Sequence, residues 1–210
     1  MENKDYISDE LLAAYLEGNV SKKEMEQVLQ AVGTDAELQE TLDMALRLDA
    51  DEQPMLQIAA ESGRNLCDIR CEAYIMKQLG LNVDENELLE IAKENHWIKK
   101  VGTPLQYMGN LLEYKGQKVT RKYRATIEDI TEAIRNGKSI IVAVDSDKLY
   151  PERPDEEDAT NHAIIVTNIN HELVTIYDPG VDKIADINLS LFRAAWKESQ
   201  YYVISVDKSN

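Results

Sequence analysis

The sequence is poor in the residues and patterns that mark several classes of protein. Its 210 residues include only two cysteines and three histidines. No apolar run approaches the ~18 residues needed to cross a membrane, and the N-terminus lacks the basic start and apolar stretch of a secretion signal. A disulfide-stabilised secreted domain and a membrane-spanning protein are therefore disfavoured. We expect a cytoplasmic protein whose thiols stay reduced.

Positive charge is also scarce. The chain has 23 Lys and Arg residues against 39 Asp and Glu residues, which gives a formal net charge of −16. Nucleic acids and anionic membrane surfaces both attract proteins through clustered Lys and Arg, so we expect neither as a partner. The acidic balance indicates a soluble surface rather than recognition of a basic substrate.

Three short amphipathic helical patterns occupy the N-terminal part of the chain. The first is "SDELLAAYLEG", and the second and third each begin with a predicted capping box, Ser21 with Glu24 and Thr34 with Glu37. The charged stretch "DADEQP" follows as a linker. We therefore predict a compact helical module over residues 1–50.

Residues 51–210 are predicted to form an α+β domain. The helical patterns are "CDIRCEAYIMKQLG", "DENELLEIAKENHW", "GTPLQYMGNLLEYKG", "TIEDITEAIRNG" and "LFRAAWKES", and the strand-like patterns are "SIIVAVD", "HAIIVTNI", "LVTIYDPG" and "YYVISV". Helices first and an antiparallel meander afterwards is the α+β order. The long irregular segment at residues 146–161 is of the kind that borders a site or is mobile.

The two cysteines, Cys67 and Cys71, are four residues apart in the first helix of this domain. Cys67 falls at the predicted helix N-terminus, where the helix dipole favours a thiolate, whereas Cys71 is one turn deeper and is expected to pack in the core. A zinc site commonly uses recognisable pairs such as C-x-x-C, and the chain has none. We expect no metal, no redox pair and no cofactor.

His162 and Asp178 also occupy positions that chemistry could use. His162 opens one predicted strand and Asp178 ends the next, and antiparallel pairing brings such positions together. A carboxylate can orient an imidazole, and an imidazole can activate a thiol, so Cys67, His162 and Asp178 could form a nucleophilic triad. The alternatives are structural: a core cysteine, a strand-edge histidine and an aspartate in a plain "DPG" turn.

Residues from about 54 to 208 resemble the papain-like cysteine peptidases of the bacteriocin-processing (double-glycine leader peptidase) group. In that family a helix starts with the nucleophile and reaches a glycine 13 residues later, as Cys67 reaches Gly80. Four further segments resemble the family's later elements in the same order: "GTPLQYMGNLLEYKGQKV", "ITEAIRNGKSIIVAVDS", "HAIIVTNINHELVTIYDPG" and "LSLFRAAWKESQYYVISV". The resemblance implies a papain-like fold and a cysteine peptidase that hydrolyses peptide or isopeptide bonds in a peptide or protein substrate. It also implies that Cys67, His162 and Asp178 are catalytic.

Two positions depart from the pattern of this family. Asp68 stands where the family has glycine after the nucleophile, and a carboxylate there disfavours a thiolate. Glu61 stands where the family has glutamine as an oxyanion donor, and an ionised carboxylate cannot donate a hydrogen bond. Asn65 could substitute, although it lies six residues before Cys71 rather than Cys67. A weak or inactive papain-like scaffold with a protein-binding or regulatory role is therefore the alternative, and acyl transfer is a third.

The N-terminal segment "ISDELLAAYLEGNVSKKEMEQVLQAVGTDAELQETLDMAL" resembles the helical N-terminal domain of anti-sigma factors of the zinc-finger type. It contains no Cys or His, so the zinc signature of that family is missing. The resemblance implies a small module that binds a protein partner, such as a sigma factor. The alternative is a plain helical unit that packs against the main domain.

Overall fold

The computed structural model describes residues 7–16, 20–49, 66–99, 102–151 and 162–207. The chain divides into two compact units, one within the first 57 residues and one from residue 58 onward. The predicted boundary after residue 50 lies outside the described residues and stays a prediction. None of the described helices is long and apolar enough to cross a membrane.

The first unit contains three helices, in the part of it that the structure describes. They are α1 (Asp9–Leu16), α2 (Lys22–Val32) and α3 (Ala36–Asp49). The predicted capping box of α2 is confirmed, since Glu24 N–H donates to the Ser21 hydroxyl and Ser21 N–H donates to the Glu24 carboxylate. Each reciprocal bond satisfies an N–H group that the helix itself leaves without an acceptor.

The predicted capping box of α3 is wrong. Asp35 caps this helix instead, because its Oδ1 accepts hydrogen bonds from the N–H groups of Glu37 and Leu38. The Thr34 hydroxyl points back to α2 and donates to the carbonyl of Gln30. A side chain one residue later in the sequence therefore caps the helix.

The second unit begins with helices, as predicted. Its helices are α4 (Cys67–Gln78), α5 (Glu85–Glu94), α6 (Asn110–Tyr114), α7 (Ile127–Arg135), α8 (Ser146–Leu149) and α9 (Leu189–Trp196), with short 3₁₀ turns at Leu105–Tyr107 and Lys197–Ser199. The segment predicted as one helix over "GTPLQYMGNLLEYKG" is broken at Gly109. This glycine has φ +85°, and an added Cβ would lie 2.9 Å from Val119 Cγ1, so the chain bends closely around its neighbour.

A six-stranded sheet follows within the described residues. Its strands are β1 (Val119–Lys122), β2 (Ser139–Val144), β3 (His162–Ile169), β4 (Leu173–Asp178), β5 (Lys183–Asn188) and β6 (Val203–Val206), in the spatial order β1-β6-β2-β3-β4-β5. Every neighbouring pair is antiparallel. The two edge strands, β1 and β5, have no counterpart among the strand-like patterns of the sequence.

The core of the second unit lies on both faces of this sheet. On one face, alternate residues of β2, β3 and β4 pack with Ile130 of α7 and with Phe192 and Trp196 of α9. On the other face α4 contacts β3, and every residue of β2 is buried. Because the central strands are covered on both sides, they are continuous β-branched and apolar runs rather than alternating ones. This arrangement holds the start of α4 against the start of β3.

Candidate active site

Cys67 is the first residue of α4. Leu66 precedes it without a side-chain cap, so the first N–H groups of the helix lie next to the cysteine. The thiol is partly exposed, and its sulfur accepts a hydrogen bond from Ala163 N–H at 3.3 Å. Cys67 therefore sits at the N-terminal end of the helix and receives a further N–H donor from β3.

His162 and Asp178 meet at the ends of two paired strands. His162 Nε2 lies 2.8 Å from Asp178 Oδ1, and the two side chains are 15% and 3% exposed. The pairing of Ile165 with Tyr177 sets this register and brings the residue after the Asp-Pro pair, Gly180, beside His162. The structure therefore brings these two predicted site residues together. Since Ala163 contacts Cys67, the third predicted residue lies beside them.

Two further groups hold the Asp178 carboxylate. The Tyr150 hydroxyl donates to Oδ2 at 2.6 Å, and Gly180 N–H donates to Oδ1 at 2.7 Å. A Cβ on Gly180 would lie 3.1 Å from Asp178 Oδ1 and 3.4 Å from His162 Cε1, so the backbone packs directly on the pair. No local pattern signals the contact of Tyr150 with Asp178.

The electrostatics of the pair favour a charged imidazole. Burial lowers the pKa of His162, but the hydrogen bond to Asp178 and the nearby Cys67 sulfur outweigh it and raise that pKa to about 10. Burial raises the pKa of Asp178, yet His162, Tyr150 and the Gly180 amide together hold it below its usual range. The arrangement therefore keeps His162 protonated at neutral pH, between the Asp178 carboxylate and the Cys67 sulfur.

The comparisons with known proteins identify the family. The family model described as "Peptidase C39 like family" matches residues 50–204. The chain belongs to the C39-like peptidase family. Cysteine peptidase is thus the enzyme class that the comparisons support. None of the curated proteins matches the chain significantly.

Solved structures of C39 peptidases share the fold of this C39-like chain. A protein from Bacillus anthracis assigned as a C39-like peptidase superposes with a TM-score of 0.57 at 16% identity, covering 75% of this chain and 95% of its own. The peptidase domain of Streptococcus ComA, a bifunctional ABC transporter of a quorum-sensing pathway, gives a TM-score of 0.53 at 17% identity. That match covers 70% of this chain and 93% of the domain. The predicted α+β class and papain-like fold are confirmed.

A buried carboxyl group directly follows Cys67. Asp68 is 2% exposed, and no hydrogen bond of standard geometry reaches either of its carboxyl oxygens within the described residues. Burial raises its pKa to about 7, although Glu72, Thr103 and Arg121 act in the opposite direction. Near neutral pH a substantial share of Asp68 therefore keeps its proton, and its charge is partly removed from the vicinity of Cys67.

Glu72 forms the second half of this buried carboxyl pair. It is 1% exposed, and its Oε2 accepts a hydrogen bond from Leu112 N–H at 2.7 Å. Burial and the neighbouring Asp68 raise the pKa of Glu72 well above its usual range. The two carboxyl groups therefore titrate as a coupled pair, in which the charge on one disfavours ionisation of the other.

Cys71 is fully buried one turn after Cys67, as expected for a core residue. Its thiol donates to the carbonyl of Ala163, with 3.4 Å between sulfur and oxygen. Burial raises the pKa of Cys71 well above its usual range, so this cysteine remains a neutral thiol. The two cysteines therefore occupy different environments, as their positions in the helix predicted.

Other predicted features have different outcomes. Glu61 and Asn65, the candidates for the oxyanion position, lie outside the described residues. No group of three His, Cys, Asp or Glu side chains suited to a metal ion occurs in the portions of the chain that the structure describes.

A cleft of about 590 Å³ lies between Arg70 and Tyr74 of α4 and the turn at Gly180, beside the His162–Asp178 pair.

Proposed function

We propose that this chain is a cysteine peptidase that hydrolyses peptide or isopeptide bonds in a peptide or protein substrate. Cys67 is the nucleophile, His162 is the general base and then the general acid, and Asp178 orients His162. The observation that carries the proposal is the joint position of the three side chains. The His162–Asp178 hydrogen bond measures 2.8 Å, and the residue after His162 binds the Cys67 sulfur.

The contacts support a separate catalytic role for each of the three residues. Asp178 engages Nε2 of His162, so Nδ1 is the ring nitrogen left to exchange a proton with the Cys67 thiol. The thiolate attacks the scissile carbonyl carbon, and the tetrahedral intermediate collapses to a thioester as the His162 imidazolium protonates the leaving amine. Water, deprotonated by the same imidazole, then hydrolyses the thioester and regenerates the thiol. The adjoining cleft at the Gly180 turn offers space for a segment of the substrate.

Reactivity of Cys67 is the direct test. We expect iodoacetamide to alkylate Cys67 much faster than it alkylates a free thiol at pH 6 to 7, and His162→Ala to remove that advantage. Because His171 is exposed in the turn after β3, His171→Ala is the matched control and should leave the rate unchanged. A Cys67 that reacts no faster than a free thiol, or that ignores His162→Ala, would contradict the proposal.

A peptide-bond assay completes this test. Hydrolysis of a fluorogenic peptide library, lost in Cys67→Ala, is the expected result. Product formation that requires an added amine acceptor would instead indicate acyl transfer.

The buried Asp68 favours one further candidate, a papain-like scaffold that binds a protein without hydrolysing it, because its ionised form disfavours the thiolate. Saturable binding of a peptide with neither hydrolysis nor rapid alkylation would support that candidate.

The N-terminal helices are proposed separately as a protein-binding module. The support is their resemblance to anti-sigma factor N-terminal domains and the confirmed helices α1, α2 and α3. Titration of the full chain with purified sigma factors, followed by calorimetry, tests this prediction. Absence of binding to every sigma factor tested would favour the plain packing unit.

A further inference from the structure

Ala163 presents both of its backbone polar groups where β4 no longer pairs with β3. The pairing of these strands begins at Ile165 with Tyr177, two residues beyond Ala163. Ala163 is 3% exposed, so bulk water does not satisfy its backbone. A buried N–H or C=O without a partner is costly. The partners of Ala163 on this side must therefore come from another element.

The two cysteines of α4 are those partners. Ala163 N–H donates to Cys67 Sγ at 3.3 Å, and the Cys71 thiol donates to the Ala163 carbonyl with 3.4 Å between sulfur and oxygen. Residues four apart on a helix share one face. The spacing of the cysteines thus matches the N–H and C=O of a single strand residue, and that residue directly follows His162.

We propose that Cys71 is a positioning residue, whose thiol holds Ala163 so that the Ala163 N–H points at the Cys67 sulfur. The inference rests on the proposed role of Cys67 as nucleophile. An N–H donor aimed at sulfur stabilises the thiolate more than the thiol, since hydrogen bonds to charged acceptors are the stronger ones. The same contact fixes the start of β3, and with it the imidazole, at the start of α4.

The chemistry of a buried thiol suits this role. Because burial raises the pKa of Cys71, its sulfur keeps the proton that it donates to the carbonyl. A thiol is also small and weakly polar, so it fits an apolar core that would penalise an ionised donor. A cysteine that served only as core filler would need no acceptor, and alanine or valine would replace it better than a hydroxyl residue would.

These two roles predict opposite rankings of the Cys71→Ser and Cys71→Ala variants. Serine keeps a donor for the Ala163 carbonyl, and alanine removes it. The chain has only two cysteines, so in both variants Cys67 is the sole thiol and thiolate absorbance near 240 nm reports on it alone. We expect Cys71→Ala to shift the Cys67 ionisation midpoint upward and to slow alkylation at pH 7 about three- to tenfold, the effect of one modest hydrogen bond. Cys71→Ser should restore both values to about those of the wild type.

Equal midpoints in the two variants, or a serine variant worse than the alanine variant, would overturn the positioning role. Should Cys71→Ala fail to fold, Cys71→Thr and Cys71→Val form an isosteric pair with and without the donor, and threonine is expected to retain the faster alkylation. The two proposals can fail separately. If the wild-type protein hydrolyses no peptide, but Cys67 is still alkylated faster in Cys71→Ser than in Cys71→Ala, the proposed function is refuted and the positioning role is supported.

Discussion

The pH dependence of stability can be predicted from Asp68. Its carboxyl group is buried, and it has no hydrogen-bond partner of standard geometry among the described residues. We expect Asp68→Asn to stabilise the second unit at alkaline pH and to do so much less at acidic pH. The asparagine has nearly the same shape and carries no proton to lose. The substitution therefore removes the cost of ionising this buried carboxyl group, together with the effect of its charge on Glu72.

The magnitude follows from proton linkage. Burial raises the pKa of Asp68 from its usual 3.8 to about 7, so the folded state holds this proton more tightly than the unfolded state. The contribution of Asp68 to stability is then complete below about pH 4 and is lost as the pH rises through about 7. Each pH unit in this window costs about 1.4 kcal/mol, and the two units from pH 5 to pH 7 cost about 2–3 kcal/mol.

Urea unfolding at pH 5 and pH 8 measures this loss. Both tryptophans of the chain, Trp97 and Trp196, lie in the second unit, so their fluorescence follows the unit that contains Asp68. Between the two pH values, Asp68→Asn should gain about 2–3 kcal/mol in free energy of unfolding relative to the wild type. The control is Glu94→Gln, which neutralises an exposed carboxylate on α5. Stability that changes in parallel with pH in Asp68→Asn and the wild type would refute the reasoning.

Three further predictions concern the pair beside Cys67. Gly180→Ala places a Cβ 3.1 Å from Asp178 Oδ1 and 3.4 Å from His162 Cε1. Because small displacements of catalytic groups are costly, Cys67 alkylation at pH 7 should slow by roughly tenfold, and an unchanged rate would show that the pair tolerates the shift. Tyr150→Phe removes a hydrogen bond to the Asp178 carboxylate. Asp178 should then protonate at higher pH, so the acid limb of the pH profile of Cys67 alkylation moves to higher pH. The free energy of unfolding should fall by about 1–3 kcal/mol. An acid limb that stays at the same pH would contradict a role for this hydrogen bond. His162 has a folded pKa of about 10 against its usual 6.5, so the stability it contributes is complete below about pH 6.5 and is lost as the pH rises through about 10. His162→Gln should flatten the decline of stability between pH 7 and pH 10 in urea titrations, and an equally steep decline in the variant would assign it to other groups.

Local patterns predicted most of the fold. The helix from Cys67 ends before Gly80, which has φ +79°, and the strands β2, β3, β4 and β6 coincide with β-branched runs. These elements were visible because helix ends and buried strands have residue preferences of their own. The edge strands β1 and β5 have alternating exposed and half-buried residues, and "VTRK" and "KIADIN" resemble surface loops as much as strands.

Part of the candidate site was also accessible from the sequence. His162 and Asp178 are joined by a short hairpin, so their approach required only antiparallel pairing of two recognisable strands. The approach of Cys67 to His162 did not follow from spacing. The two residues are far apart in the chain, and only the packing of α4 against β3 places them together.

The sequence by itself determined which chemistry is available and which elements carry it: a thiol at a helix start, an imidazole at a strand start and a carboxylate at a strand end. Those features depend on residue type and on neighbours a few positions away. Only the tertiary structure decided the environment of each group. The contact of Ala163 with both cysteine sulfurs and the burial of Asp68 arise between segments that are distant in the chain. Burial and hydrogen bonding by distant segments set the proton affinities on which the proposed chemistry depends.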